Sequence, residues 1–350
     1  MQRWHIKIVT SVLLVGLLAG PVFGQFTSGL QGSLEDASGG SIPNAIVKLR
    51  NVSTGVVVEA KTDDSGGYHF RSLAPGRYEL SADAPGFQST PATVTVYTEQ
   101  VATFNLRLNV AGVSSQVSVS AETDTIDTGD SRLESTVRTQ QLQDLPIEGR
   151  NFLGLVAVAP GITGHGAVGN GAPGDAPDNF STEKTVDASG NGRNYSGNQF
   201  TVDGLNITSN ILLGTANLTP NPDSIQEMAV QTNTFSVENG RGSSVQIAIT
   251  TKSGSNQYHG TGSYFFTDQH LWARTEFTPT TGYEPFKKND LAATFGGPII
   301  KNHTFFFASV EDLRAQVSQA TQVHVVESPE FVAFAKQAYP NSIGTKLLTQ

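Results

Sequence analysis

The chain has 350 residues, enough for two or three domains, with 36 Gly, 37% hydrophobic residues and only 15% charged ones. Its polarity therefore rests on Ser, Thr, Asn, Gln and Gly, a mixture that suits many short strands and long polar loops. A net charge of −9 without a basic run makes nucleic acid a poor partner, and the absence of Cys excludes thiolate zinc sites, iron–sulfur clusters and cysteine nucleophiles.

The first segment reads as an export signal. Arg3 and Lys7 form a positive start, Val12 to Leu18 an apolar core, and Val22 and Gly24 are small enough to flank a cleavage site. The apolar stretch is shorter than the ~20 residues of a spanning helix. Residues 1–24 are accordingly expected to be a cleaved signal peptide, leaving a mature chain near −11 once Arg3 and Lys7 are removed. No later segment has the length and apolarity of a membrane helix, so any membrane span must be β.

Residues 26–109 show period-two patterning. Val47 and Leu49 alternate with Lys48 and Arg50, Tyr68 and Phe70 with His69 and Arg71, Tyr78 and Leu80 with Glu79 and Ser81, and Phe104, Leu106 and Leu108 with Asn105 and Arg107. Turn clusters at Ser38-Gly39-Gly40, Asp63 to Gly67, Ala74-Pro75-Gly76 and Ala84-Pro85-Gly86 separate these runs. About seven short strands predict an antiparallel sandwich. The phrases Ile42-Pro43-Asn44-Ala45, Thr62 to Phe70, Leu73 to Tyr78 and Ala84 to Phe87 resemble carboxypeptidase regulatory-like domains, which are transthyretin-like (immunoglobulin-like) β-sandwiches without catalysis of their own. Zinc-peptidase ligands are not assembled: His324 and Glu327 have the local spacing, but no His follows.

Residues 110–130 read as a linker rich in Ser, Thr and Asp. Within it Gln116, Val117, Ser118, Val119, Ser120 and Ala121 are similar to a TonB box, the extended segment that adds a strand to the periplasmic TonB protein. The same hexamer also reads as a last strand of the sandwich.

Residues 131–254 mix helix and strand. Thr139 to Leu145 predicts a short helix capped by Thr139 and stopped by Pro146, and 151–159 a second one capped by Asn151. The glycine-rich stretch 161–197 reads as a long loop, functional or mobile. Asn198 to Asn206 alternates into the Asp203-Gly204 turn, a hairpin signal. Asp223 to Met228 has the cap and first-turn acid of a helix, while Ala229–Thr232 and Val245–Lys252 are strand-like. Gly190-Asn191-Gly192 lacks the third glycine and the flanking elements of a phosphate cradle.

The order of these phrases resembles the plug of TonB-dependent receptors: Leu145-Pro146 with Gly149-Arg150-Asn151-Phe152, then Val202-Asp203-Gly204, Ile225-Gln226-Glu227, Gly240-Arg241-Gly242 and Thr251-Lys252-Ser253-Gly254. Asn239 and Gln246 depart from the family pattern, standing where an aromatic and an apolar residue are usual. The resemblance implies that Gly149, Arg150 and Arg241 serve plug–barrel polar contacts; ordinary solvated turns are the other reading.

In residues 255–350, His259–Phe266, Asp290–Ile300 and His303–Val310 resemble the first three strands of an outer-membrane barrel, with a fourth over Gln316–Val326. Phe295 to Lys301 followed by Thr304 to Phe307 resembles the Oar-like branch of the receptor family. Only 96 residues follow position 254, whereas a plugged transporter barrel needs about 22 strands of roughly 9–11 residues. An open barrel leaves backbone groups unpaired in lipid, so the chain is expected to be the N-terminal part of a longer receptor.

The expected fold is therefore mainly β: a signal peptide, a transthyretin-like sandwich, an α+β plug and an incomplete transmembrane barrel. The resemblance implies an exported outer-membrane transporter, not an enzyme, without cofactor or metal, whose partners are TonB, outer-membrane lipid and an extracellular ligand. A secreted adhesion or scaffold protein using the sandwich as a binding module is the alternative, and a periplasmic enzyme a weaker one.

Overall fold

The computed structural model describes residues 28–88, 90–110, 134–145, 150–168, 184–232, 242–271, 273, 286–317 and 327–347. The expected signal peptide, 1–24, and the expected TonB box, 116–121, lie outside them. The described residues divide into two compact units, the larger within 1–266 and 288–315, the smaller within 267–287 and 316–350.

The larger unit begins with the sandwich. One sheet runs β4 (Gly67–Phe70), β1 (Gly29–Asp36), β9 (Leu106–Val110), β6 (Phe87–Gln88), with β8 (Val101–Thr103) also beside β1. The other runs β3 (Val57–Lys61), β2 (Ile46–Asn51), β5 (Gly76–Asp83), β7 (Ala92–Val96). The period-two faces pack inward as the alternation requires: Leu30, Leu34, Val47, Leu49, Leu80, Val96 and Leu108 are fully buried. Tyr68 and Tyr78 are buried as well, and each places its hydroxyl on a carbonyl, of Phe104 and Ala74 respectively, because a buried phenol needs a partner. Nine strands form where about seven were expected; the additional ones are the short pieces β6 and β8. Asp36 and Asp63 close matching turns, each taking backbone N–H groups two and four residues on.

A second body follows, with its own apolar core of Phe152, Leu153, Val156, Phe200, Ile225, Met228, Val230, Val245 and Ile247. Its main sheet runs β10 (Glu134–Arg138), β16 (Ile225–Gln231), β17 (Gln246–Thr251), β13 (Gln199–Val202), β14 (Leu205–Asn206), with β13 parallel to β17. A smaller sheet joins β11 (Ile162–Val168), β12 (Lys184–Gly190) and β15 (Thr215–Ala216). β16 and β17 are buried on both faces, so they read as nearly unbroken runs rather than alternations.

Three expectations for this body are corrected. The stretch 161–197 is not one loop: β11 and β12 pair antiparallel within it, with a register shift between Gly164 and Gly166. A Cβ at Gly164 would lie 2.2 Å from the Asp187 carbonyl oxygen, so the glycine there serves close backbone approach, not mobility. Asp223–Met228 is not a helix: a 3-10 turn, Pro222–Ser224, capped by Asn221, feeds directly into β16. Thr139 is not a cap either. Arg138 is the N-cap residue of the helix Thr139–Asp144, its backbone N–H donating to Gln141 Oε1, and the Thr139 hydroxyl donates to the carbonyls of Ile225 and Gln226. The predicted second helix exists as a 3-10 turn, Phe152–Val158, with Asn151 Oδ1 accepting from the Leu153 N–H.

The third body is a three-stranded sheet in the order β18 (His259–Asp268), β19 (Phe286–Ile300), β20 (Thr304–Val317). The strands are longer than the sequence runs that announced them, and of the expected fourth strand only Gln316 and Val317 are described, as the end of β20. Its polarity is the reverse of a soluble sheet. Along β19, Lys288, Asp290, Ala292 and Thr294 are buried, while Leu291 and Phe295 are 54% and 52% exposed. Polar-in, apolar-out alternation is the pattern of a strand whose outer face meets lipid. Near the β19–β20 turn, Phe295 stacks on Tyr258 (6.0 Å) and packs on Phe306 (5.6 Å), an aromatic cluster of the kind that marks a membrane interface.

In the smaller unit the helix Pro329–Ala338 starts at Ser328, whose hydroxyl accepts from the Phe331 N–H, with Pro329 in the first turn. A second short helix, Ile343–Leu347, follows. Among the described residues no helix is long and apolar enough to cross a membrane, which leaves crossing by strands untouched.

Candidate functional site

Arg150 is the centre of the candidate site. It leads into the 3-10 turn Phe152–Val158 with a left-handed φ of +60°, uncommon for a side chain of this size. That backbone aims the guanidinium at the inner face of the three-stranded sheet. Nη1 donates to Asp290 Oδ2 of β19 at 3.0 Å, and Nη2 to Asp223 Oδ2 at 3.3 Å. The guanidinium carbon also sits 3.7 Å from the centre of the Phe265 ring on β18, close enough for cation–π attraction. The three charged side chains are 19%, 1% and 9% exposed for Arg150, Asp290 and Asp223.

Each partner is held in turn. Asp223 accepts from the Ser263 hydroxyl of β18, and its backbone carbonyl accepts from Lys252 Nζ at 2.8 Å. Burial holds the Lys252 ammonium below the usual lysine range, with the Asp223 charge opposing that shift. Glu311 of β20 faces Asp290. A buried guanidinium shared between carboxylates from two bodies sets their register more than it adds stability, because desolvation offsets much of the attraction. The arrangement joins the two bodies through charge and hydrogen bonds.

The other expected site residues fall in three places. Asn151 is buried and caps its own turn. Asp203 and Gly204 have φ of +49° and +81°, the paired positive values of a tight hairpin turn. The Asp203 carboxylate then reaches β17, accepting from the Thr251 N–H (2.9 Å) and hydroxyl (2.7 Å). Gly242 lies where a Cβ would come within 2.8 Å of the Gln199 Cβ. Gly149, Gly240 and Arg241 are outside the described residues, as are 116–121. Of the described members of the expected set, then, the ion network holds Arg150 alone. Asp290, Ser263 and Phe265 were missed as members, although an acid at a core-facing position of a strand with an apolar outer face is a signal that was available.

Two family descriptions match the sequence. Residues 29–109 match the carboxypeptidase regulatory-like domain, and residues 250–341 the outer membrane beta barrel domain. Over 313 residues, 85% of this chain, the sequence is 28% identical to the TonB-dependent transporter Oar of Myxococcus xanthus. The chain is homologous to a TonB-dependent transporter. Its sandwich is a carboxypeptidase regulatory-like domain, its three long strands belong to an outer-membrane barrel domain, and its location is the outer membrane. It spans 28% of the Myxococcus protein's length. Among solved structures, the siderophore receptor PirA of Acinetobacter baumannii aligns with a TM-score of 0.34 at 19% identity, over 48% of this chain and 22% of that one. Catechol 1,2-dioxygenase of Acinetobacter sp. ADP1 aligns at 0.20 and 13% identity, over 24% of this chain and 53% of that one. Neither likeness bears on function.

Proposed function

We propose that the chain serves as the sandwich, plug and first barrel strands of an outer-membrane TonB-dependent receptor that passes a ligand under energy coupling. In this reading residues 131–254 are the plug, residues 110–130 a linker, residues 255–350 the beginning of the barrel, and residues 1–24 the signal peptide. The observation that carries it is Arg150. A cation on the second body is shared between that body's own Asp223 and Asp290, a buried acid on a strand whose opposite face is apolar. A stopper seated against a barrel wall needs contacts that specify one seat yet can be broken without unfolding either part, and an ion network that fixes register more than it adds stability fits that need. TonB would engage Gln116–Ala121 by β-augmentation, and no residue is assigned bond chemistry.

The test has two parts. The gene's product should sediment with outer membranes, and it should capture the TonB C-terminal domain in a pull-down that Val119→Pro abolishes. A product that stays in solution after membranes are pelleted would overturn the receptor reading and favour a secreted scaffold. Equal capture by the variant would remove residues 116–121 from the coupling role alone.

A further inference from the structure

The sandwich does not hang free of the rest of the larger unit. Its β7–β8 turn, Tyr97 to Gln100, is closed by the Gln100 N–H donating to the Tyr97 carbonyl and is set against β16 and β17. There the Thr98 N–H donates to Glu227 Oε1 at 3.0 Å, and the Thr98 and Thr250 hydroxyls lie 3.0 Å apart. Arg138 Nη2 donates to the Tyr97 hydroxyl at 2.7 Å, and its guanidinium lies 4.8 Å from the centre of that ring. Thr98, Glu227 and Thr250 are all buried, so this seam is dry. Gln226 Nε2 adds a bond to the Pro75 carbonyl.

The same sandwich grips a second place. Asn256, between β17 and β18, donates from its backbone to the Ser53 carbonyl (3.0 Å) and from its side chain to the Thr54 carbonyl (2.6 Å). It is also doubly bonded to Asn302 in the β19–β20 turn. Gly55 completes the fit, since a Cβ there would lie 2.3 Å from Asn302 Oδ1. Between the two grips lies a cleft of about 940 Å³ lined by Val56, Val58, Pro75, Lys252, His303 and Phe305.

One rigid domain thus holds the second body at β16 and β17 and the barrel sheet at its turn. While both grips are closed, those two bodies cannot slide past each other at this end. The grips consist mostly of side-chain amides, hydroxyls and one carboxylate on sandwich backbone groups, with an open cleft between them in place of an apolar seam. Small, polar contacts of this kind between domains of one chain are the reversible ones. We propose that the carboxypeptidase regulatory-like sandwich is a reversible latch, whose releasable end is the Thr98 turn seated on Glu227 and Thr250. Neither its docking nor its opening depends on ligand passage, so the proposal stands apart from the transport reading.

The 350 residues contain no Cys, so the pair Thr98→Cys/Thr250→Cys, introduced in the full receptor in outer membranes with any cysteine beyond residue 350 replaced by Ser, reports on the seam directly. Oxidation is expected to join the two positions, and hydrogen exchange in β16 and β17 to slow about tenfold relative to the same protein under reductant, because a locked seam cannot open locally. Thr250→Val, which keeps shape and removes the hydroxyl, is expected to speed exchange at Thr98 severalfold without any cysteine. Failure of the pair to join in folded, membrane-inserted receptor would show that the sandwich does not dock there. Complete joining with unaltered exchange, or unaltered exchange in Thr250→Val, would show a fixed joint and overturn the latch. None of these readings requires the receptor to move a ligand.

Discussion

Arg150→Ala should unseat the second body from the barrel sheet. The side chain it removes bridges two carboxylates, 1% and 9% exposed, and covers the Phe265 ring. Removing one partner of a buried ion pair leaves its charge uncompensated and costs about 3–5 kcal/mol, and the cation–π contact with Phe265, a ring 45% exposed, adds about 0.5–1 kcal/mol. Alanine is the right replacement because the backbone is left-handed at φ +60°; glycine would relieve that conformation and mask part of the loss. If an orphaned Asp290 causes most of the cost, Asp290→Asn in the Arg150→Ala background should recover part of it, giving a coupling of about 1–3 kcal/mol in a double-mutant cycle. The assay is urea-dependent hydrogen exchange of β13, β16 and β17 in membrane-inserted receptor. A single variant within about 0.5 kcal/mol of the wild type, the range of ordinary surface changes, or strictly additive losses, would refute the reasoning.

Three further outcomes follow from the geometry. Burial, opposed by the Thr98 N–H and by Arg138, raises the Glu227 carboxyl from 4.5 to about 7; an acid raised on folding contributes stability that is fully present below its ordinary value and is lost as pH climbs from there through about 7. The loss amounts to about 3 kcal/mol at 1.36 kcal/mol per unit, and Glu227→Gln, read by exchange at Thr98 between pH 5 and 8, should flatten the dependence; an unchanged slope would assign it to another group. Gly204→Ala places a Cβ at φ +81° and should lower the melting temperature of the second body through a loss of about 1 kcal/mol, with an unaffected melt counting against the hairpin geometry. Gly254→Ala would bring a Cβ to 2.3 Å from the Phe306 carbonyl oxygen and 2.8 Å from that of Gly297; the backbone shift should cost about 1–3 kcal/mol, visible as a reduced yield of membrane-inserted receptor.

The sandwich was legible because burying one face of each strand writes a period of two into the sequence: Val47, Leu49, Tyr78 and Leu80 were placed inward by alternation and are buried. The second body was less legible for physical reasons that differ by segment. β16 is buried on both faces, so Ile225, Met228 and Val230 carry no alternation, and Ile225 with Met228 mimics helical spacing. β11 carries Gly164 and Gly166 where backbones approach closely, and composition alone cannot separate that use of glycine from a mobile loop. The buried acid on β19 was itself a local signal, but its pairing could not be read from local pattern, because Arg150 and Asp290 lie 140 residues apart.

The polarity of β19 ties these levels together. A soluble sheet that buried Asp290 and Lys288 while exposing Leu291 and Phe295 would bear the desolvation of two charges and also forgo the burial of two large apolar side chains, each worth about 1.5–3 kcal/mol. The second cost changes sign once hydrocarbon replaces water on the outer face. Leu291 and Phe295 are then in their favourable solvent, and the acid on the inner face is compensated by Arg150, which the second body supplies. The sheet therefore depends on that body: the strands need a polar filling on one side and lipid on the other, and the left-handed turn at Arg150 delivers a counter-charge to Asp290 from outside the sheet.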